Sequence, residues 1–259
     1  MKSEMFFKTF YSRQDNFLIG IQNLIFRFSS LPKLLLEVFI RKNFGERYFR
    51  LSAAITAFFI FSFFPLFFAR LFTFTGAHFG QRRHVMDSFW STNGAYYLFL
   101  LAFLYMSFKR WQEVRRNPSV FDFAKFSLYN GDMDERFYNI KLAGSPVNKR
   151  QIEIFCEPAL FLIIGLVLWF FGQSLGVLLV ICSIFYHGNH AYMYRKGDEY
   201  IMDIIDRMLA NRSLEDVMVY NKPSSSGFDF RAQRPNSEEM RQDLYEGIKE
   251  EFEQAATVR

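Results

Sequence analysis

The chain has 259 residues, of which 51% are hydrophobic and 20% aromatic, Phe alone supplying 35, and its formal net charge is +5. That charge is unevenly spread: residues 1–194 hold 21 Lys and Arg against 12 Asp and Glu, and residues 195–259 hold 10 against 14. The two cysteines, Cys156 and Cys182, both lie in apolar runs, which excludes a disulfide framework and a zinc ribbon; the basic residues flank apolar runs, so anionic lipid accounts for them and no nucleic acid partner is expected.

Residues 1–16 are broken by charge every few positions, and no cleavable signal peptide is legible there. Phe17, Ile21, Leu24, Ile25 and Phe28 follow at helical spacing on one face, which predicts an amphipathic helix. Pro32 then suits the start of a second short helix, LPKLLLEVFIRK, ending near Asn43-Phe44-Gly45. Both helices are expected in the headgroup plane, with Arg27, Lys33, Arg41 and Lys42 toward anionic lipid; packing on the cytoplasmic loops is the alternative.

Leu51–Ala69 is free of charge for nineteen residues between Arg50 and Arg70, and Ser88–Phe108 for twenty-one, closed by Lys109 and Arg110. A helix crossing ~30 Å of hydrocarbon needs about 20 such residues, so each predicts a span, the first kinked at Pro65. No charge occurs from Pro158 to Tyr194, too long for one crossing, and Gly172-Gln173-Ser174 marks a turn near the middle. Two helices, 151–171 and 174–194, are expected there. The wholly apolar arms, 159–171 and 175–186, are short enough for a shallow re-entrant hairpin; full crossing is preferred.

Lys and Arg number nine in the first fifty residues, three in 70–87, nine in 109–150, none in the Gly172 turn and ten in the tail. That alternation predicts four crossings with both termini cytoplasmic, in an inner or plasma membrane. Between the second and third spans, β-leaning runs around Phe121–Phe123 and Tyr138–Leu142 flank Asn130-Gly131, a hairpin signal; a plain ordered loop is the alternative. After the last span, Asp198 is placed to cap a helix to about Ala210, and Ser213 a further turn. Residues 221–237, containing Phe228 and Phe230, read as a linker. A final helix over 238–256, capped by Ser237, carries a narrow apolar stripe of Met240, Leu244, Ile248 and Phe252, expected to dock a protein partner; folding back on its own chain is the alternative. The fold class expected is an all-α integral membrane protein of four transmembrane helices, the last two a tight hairpin, with cytoplasmic amphipathic helices and a small β-hairpin.

No Gly-rich phosphate loop, Gly-x-Ser-x-Gly elbow or His-Glu-x-x-His pattern is present. His78 and His84 fall in the outer loop near Arg82, Arg83 and Asp87 and read as a solvated face. Glu153 and Glu157 share a helix face, and a turn at Gln173 brings residues whose numbers sum to about 346 to one depth. That places His187 and His190 beside the two carboxylates, where the four could bind a divalent metal or relay a proton; headgroup-region charges without a special role are the bland alternative. Cys156 and Cys182 fall at different depths and cannot bridge. No ionisable group lies at the centre of any span, which disfavours an ion-coupled transporter. The function expected is a non-enzymatic membrane subunit that scaffolds a secretion, transfer or defence assembly, with Lys109, Arg110, Arg195 and Lys196 as further interfacial anchors. An oligomeric channel and an enzyme acting on lipid-linked substrate at the membrane interface are the alternatives.

Overall fold

The computed structural model describes residues 16–65, 85–115, 126–139, 141–142, 145–229 and 233–257. It is mostly helical: α1 Asn16–Ile40, α2 Leu51–Ser62, α3 Val85–Val114, α4 Lys149–Phe170, α5 Ser174–Met218 and α6 Glu238–Thr257. Two of these, α4 and α5, are long and apolar enough to cross a membrane. The chain divides into two compact units, Gly20–Tyr194 and one that includes Arg195–Arg259.

In the first unit, Leu35, Leu36 and Val38 of α1 are buried with Ala54 and Ala57 of α2, Tyr96, Leu100 and Phe103 of α3, Phe161 of α4, and Leu178 and Cys182 of α5. The outward faces are apolar too: Phe59 and Phe63 beside α2, Leu98 and Leu101 on α3, Ile163, Leu166 and Phe170 on α4. Exposed apolar surface on this scale suits a hydrocarbon solvent rather than water.

Three prolines sit in or next to these helices, and two of them free a carbonyl that another helix then takes up. Proline lacks an N–H and clashes with the carbonyl four residues earlier. Pro65 frees the Phe61 carbonyl, which accepts the Tyr96 hydroxyl at 2.6 Å. Pro158 frees the Ile154 carbonyl, and His187 donates to it through Nδ1 at 2.7 Å. The chain just before Pro158 widens into a π-helical turn over Ile152–Cys156, the usual accommodation of a disturbed hydrogen-bond ladder. Pro32 does not start a new helix. It lies inside the continuous α1, because the residues after it are held on all sides by core rather than by lipid headgroups. The interfacial placement read for this second half is therefore corrected.

The α4–α5 connection turns at Gly172, whose φ is +73°, and α5 runs back along α4. Ser183 donates to the Pro158 carbonyl at 2.6 Å, five positions from the Gly188 that the expected register sets level with Pro158. The two helices touch at Gly165 and Gly176. A Cβ on Gly165 would come within 2.9 Å of the Val180 nitrogen, and one on Gly176 would overlap the Trp169 backbone. Small residues of this kind allow helix backbones to approach closely. The turn is tied to α3, since Ser174 donates to the Thr92 carbonyl at 3.2 Å and Gln173 to that of Ser91 at 3.3 Å.

Among the described residues no hairpin forms about Asn130-Gly131. Strand-like pairing instead joins Lys42 and Asp132 across the two loops, and Gly45 and Arg47 donate to the Tyr129 and Ser127 carbonyls at 2.8 Å. Gly131, at φ +89°, lies against the Lys42 carbonyl, so long-range pairing uses the glycine that a local turn would have used. A two-residue antiparallel pair, Lys141–Leu142 with Ser145–Pro146, lies further on. The Phe121 and Phe123 run and the residues 66–84, with His78 and His84, lie outside the described residues.

In the second unit, α5 continues through Asp198 without a break, contrary to the cap read there. Arg195 and Lys196 both pair with Glu199, at 3.1 and 2.7 Å, and these one-turn pairs support helix where a new start was expected. Past Met218 the chain folds back, with Lys222 N–H donating to the Asp216 carbonyl at 2.8 Å and Ser224 donating to the Ser213 hydroxyl at 2.8 Å. The helix α6 begins after Ser237, whose hydroxyl accepts the Met240 N–H at 3.5 Å.

Gly176→Leu is expected to lose the close α4–α5 contact and to destabilise the protein by about 1–3 kcal/mol, the usual cost of overpacking. Gly188→Ala meets nothing within 4 Å and is expected to leave the thermal midpoint in detergent unchanged or raised.

Candidate functional site: a buried charge cluster

Three strings of residues spaced by four converge inside the first unit. The α1 end carries Lys33, Glu37 and Arg41, the start of α4 carries Glu153 and Glu157, and α5 carries Tyr186, His190 and Tyr194. Spacing by four puts each string on one helical face.

Arg41 is the centre. Its side chain and that of Glu157 are both 0% exposed. The guanidinium grips Glu157 as a fork, with Nε donating to Oε1 at 3.2 Å and Nη2 donating to Oε2. Nη1 donates to the Asn130 carbonyl at 3.3 Å and lies 3.5 Å from Glu153 Oε1. A planar fork of fixed donors matches a carboxylate in a way an ammonium cannot.

The remaining acceptors are filled by hydroxyls and an amide. Tyr186 donates to Glu157 Oε2 and Tyr194 to Glu153 Oε2, each at 2.5 Å, while Asn130 Nδ2 donates to Glu153 Oε1 at 3.3 Å. On α1, Glu37 accepts the Tyr48 hydroxyl at 2.9 Å and lies 3.4 Å from Lys33 Nζ. His190 sits between the two halves. Its Nε2 is 3.6 Å from Glu37 Oε1 and its Nδ1 is 3.8 Å from Glu153 Oε2, both longer than a hydrogen bond.

Burial alone would raise the Glu37 carboxyl, but Lys33, the His190 contact and Arg41 outweigh it and hold it down at about 2. Burial and the Glu37 carboxylate push the Tyr48 phenol well up, so it keeps its proton and its donor role.

The sequence places Glu153, Glu157 and His190 together, and so does the structure. His187 is turned away to the Ile154 carbonyl. Among the described residues no group of three or more His, Cys, Asp or Glu is arranged to hold a metal ion. Where the metal was expected stands a guanidinium, which already compensates the carboxylates. Both cysteines are free thiols.

The basic residues expected at the headgroups divide. Lys42, Lys109, Arg195 and Lys196 reach the surface. Lys33, Arg41 and Arg110 are buried, and their interfacial reading is corrected. Arg110 Nε donates to the Val38 carbonyl at 3.2 Å, satisfying one of the carbonyls left open at the α1 C-terminus. The side chain of Arg27 lies outside the described residues.

Glu37 supplies a pH dependence with a definite sign. A carboxyl held at about 2 against an ordinary 4.5 stabilises the fold fully above about pH 4.5, and that contribution is lost as pH falls through 2. Wild type is therefore expected to exceed Glu37→Gln in thermal midpoint at pH 6, with the gap closing progressively below pH 4.5, read by thermal unfolding in detergent. Compared with known protein families, with curated proteins and with solved structures, the chain matches none.

Proposed function

We propose that this protein is a non-enzymatic membrane subunit that crosses the bilayer four times, keeps both termini in the cytoplasm, and anchors a multiprotein assembly through its cytoplasmic segments. The alternation of Lys and Arg among the connections supports that sidedness. The apolar outward faces of α2, α3, α4 and the first part of α5 support lipid as their solvent.

The buried cluster favours a structural role over chemistry. Its carboxylates already have partners from the chain itself, and Glu37, Arg41, Glu153, Glu157 and His190 are buried, with Tyr48, Asn130 and Tyr194 half-buried around them in the same hydrogen-bond network. It ties the segment before the first span to the α4–α5 hairpin.

The observation that carries the scaffold reading is on α6. Met240 is 56% and Leu244 41% exposed on one stripe of a helix that follows the 221–237 segment. Ile248 continues the stripe half-buried, and the Phe252 side chain lies outside the described residues. A helix that turns apolar side chains to water is a candidate for helix-in-groove recognition. Its charges, seven acidic against two basic, oppose an anionic bilayer and suit a basic protein groove.

Deletion of 238–259 is expected to leave the protein in the membrane and to remove a protein that otherwise co-purifies in mild detergent. Identical co-purification by the full and shortened chains would count against α6 as the docking element.

A further inference from the structure

We propose that the cleft formed by the chain after α5 and the first turn of α6 binds a phosphate monoester, gripped by Arg234 and Arg241. The site lies wholly in the second unit and does not depend on the membrane reading above.

Among the described residues the cleft is lined by Asn221, Arg234, Pro235, Asn236 and Arg241 and holds about 390 Å³. That is the size of a small-ligand site, but the lining is polar where such sites are mostly apolar. Residues 195–259 carry 14 Asp and Glu against 10 Lys and Arg, yet the lining holds two arginines and no acid. The Nε atoms of Arg234 and Arg241 are both buried, and neither has a hydrogen-bond partner. Native proteins leave few buried donors in that state. Arg234 Nη2 lies 3.6 Å from Asp229 Oδ1, but that carboxylate is 70% exposed and does not line the cleft. No ion pair engages Arg241 among the described residues. Glu238 and Glu239 already complement the N-terminus of α6, so the arginines rather than the helix dipole make the site.

Two cations facing one space repel each other, and an anion between them relieves both. A guanidinium presents a planar fork that fits phosphate or carboxylate oxygens in pairs. Charge separates the two ligands. A phosphate monoester carries about −1.5 to −2 at neutral pH with three acceptor oxygens, which matches two arginines, whereas a single carboxylate leaves one of them uncompensated. The side-chain amides of Asn221 and Asn236 add neutral donors for the remaining oxygen.

The test is broadening of the phosphorus NMR line of inorganic phosphate by the full chain in maltoside detergent. Saturable broadening is expected. It should weaken at least fivefold in Arg234→Gln with Arg241→Gln and stay unchanged in Arg212→Gln, an exposed arginine outside the cleft. Arg234→Lys with Arg241→Lys keeps both charges and loses both forks, so it is expected to fold as the native chain does and to bind more weakly. Glycerol phosphate and phosphatidic acid carry the same phosphate monoester, one free and one on a lipid. Displacement of inorganic phosphate by glycerol phosphate alone supports the proposal with a soluble ligand. Displacement by phosphatidic acid at a tenfold lower concentration, and not by the diester phosphatidylglycerol, supports it with a lipid headgroup. No broadening by the native chain, equal broadening by the glutamine and native chains, displacement by neither monoester, or displacement by succinate as readily as by glycerol phosphate overturns it.

Discussion

One ion pair organises the first unit. Arg41 leaves the end of α1 and closes on Glu157, which stands 116 positions away on α4, with neither side chain exposed. Placing two charges out of water costs several kcal/mol per ion, and the mutual attraction recovers that only with good geometry and with the remaining lone pairs filled. Here the geometry is a fork, Tyr186 donates to Glu157, and the Asn130 carbonyl accepts a further Arg41 N–H. Those two partners come from different places, one from α5 and one from the loop that pairs with Lys42. The cluster therefore holds only when α1, the 127–132 loop, α4 and α5 are all in position. Its value is specificity of arrangement, since a well-packed apolar substitute could match it in stability.

The same economy recurs at the helix defects. Pro65 and Pro158 each leave a carbonyl without its helical partner, and in each case a side chain from a neighbouring helix supplies the donor: Tyr96 for the first, His187 for the second. The π-helical turn before Pro158 contains Glu153 and directly precedes Glu157, so the proline that disturbs the ladder also shapes the turn that presents both carboxylates. Tight glycine contact between α4 and α5 holds that presentation in register.

Much of this was legible in the residues. The Gly172 turn follows from a charge-free run too long for one helix, and the level of Glu153, Glu157 and His190 follows from counting outward from that turn. Arg41 was missed because a basic residue beside an apolar run is ordinarily a headgroup anchor. The signal that could have found it is the alternation of sign at Lys33, Glu37 and Arg41, spaced by four within apolar sequence, facing two carboxylates spaced by four elsewhere. Position by position these charges suit lipid; only as complementary strings do they suit each other. Asn130-Gly131 misled for a different reason. Local turn chemistry competes with long-range pairing, and the Lys42–Asp132 bridge won.

The central claim is that the Arg41–Glu157 contact couples α1 to the hairpin, and a double-mutant cycle on unfolding in detergent measures it most directly. Arg41→Met and Glu157→Met are each expected to cost about 3–5 kcal/mol by stranding a buried charge. The double variant is expected to recover much of that loss, a coupling of about 2 kcal/mol or more. Single substitutions within about 0.5 kcal/mol of wild type, or costs that simply add, would contradict it.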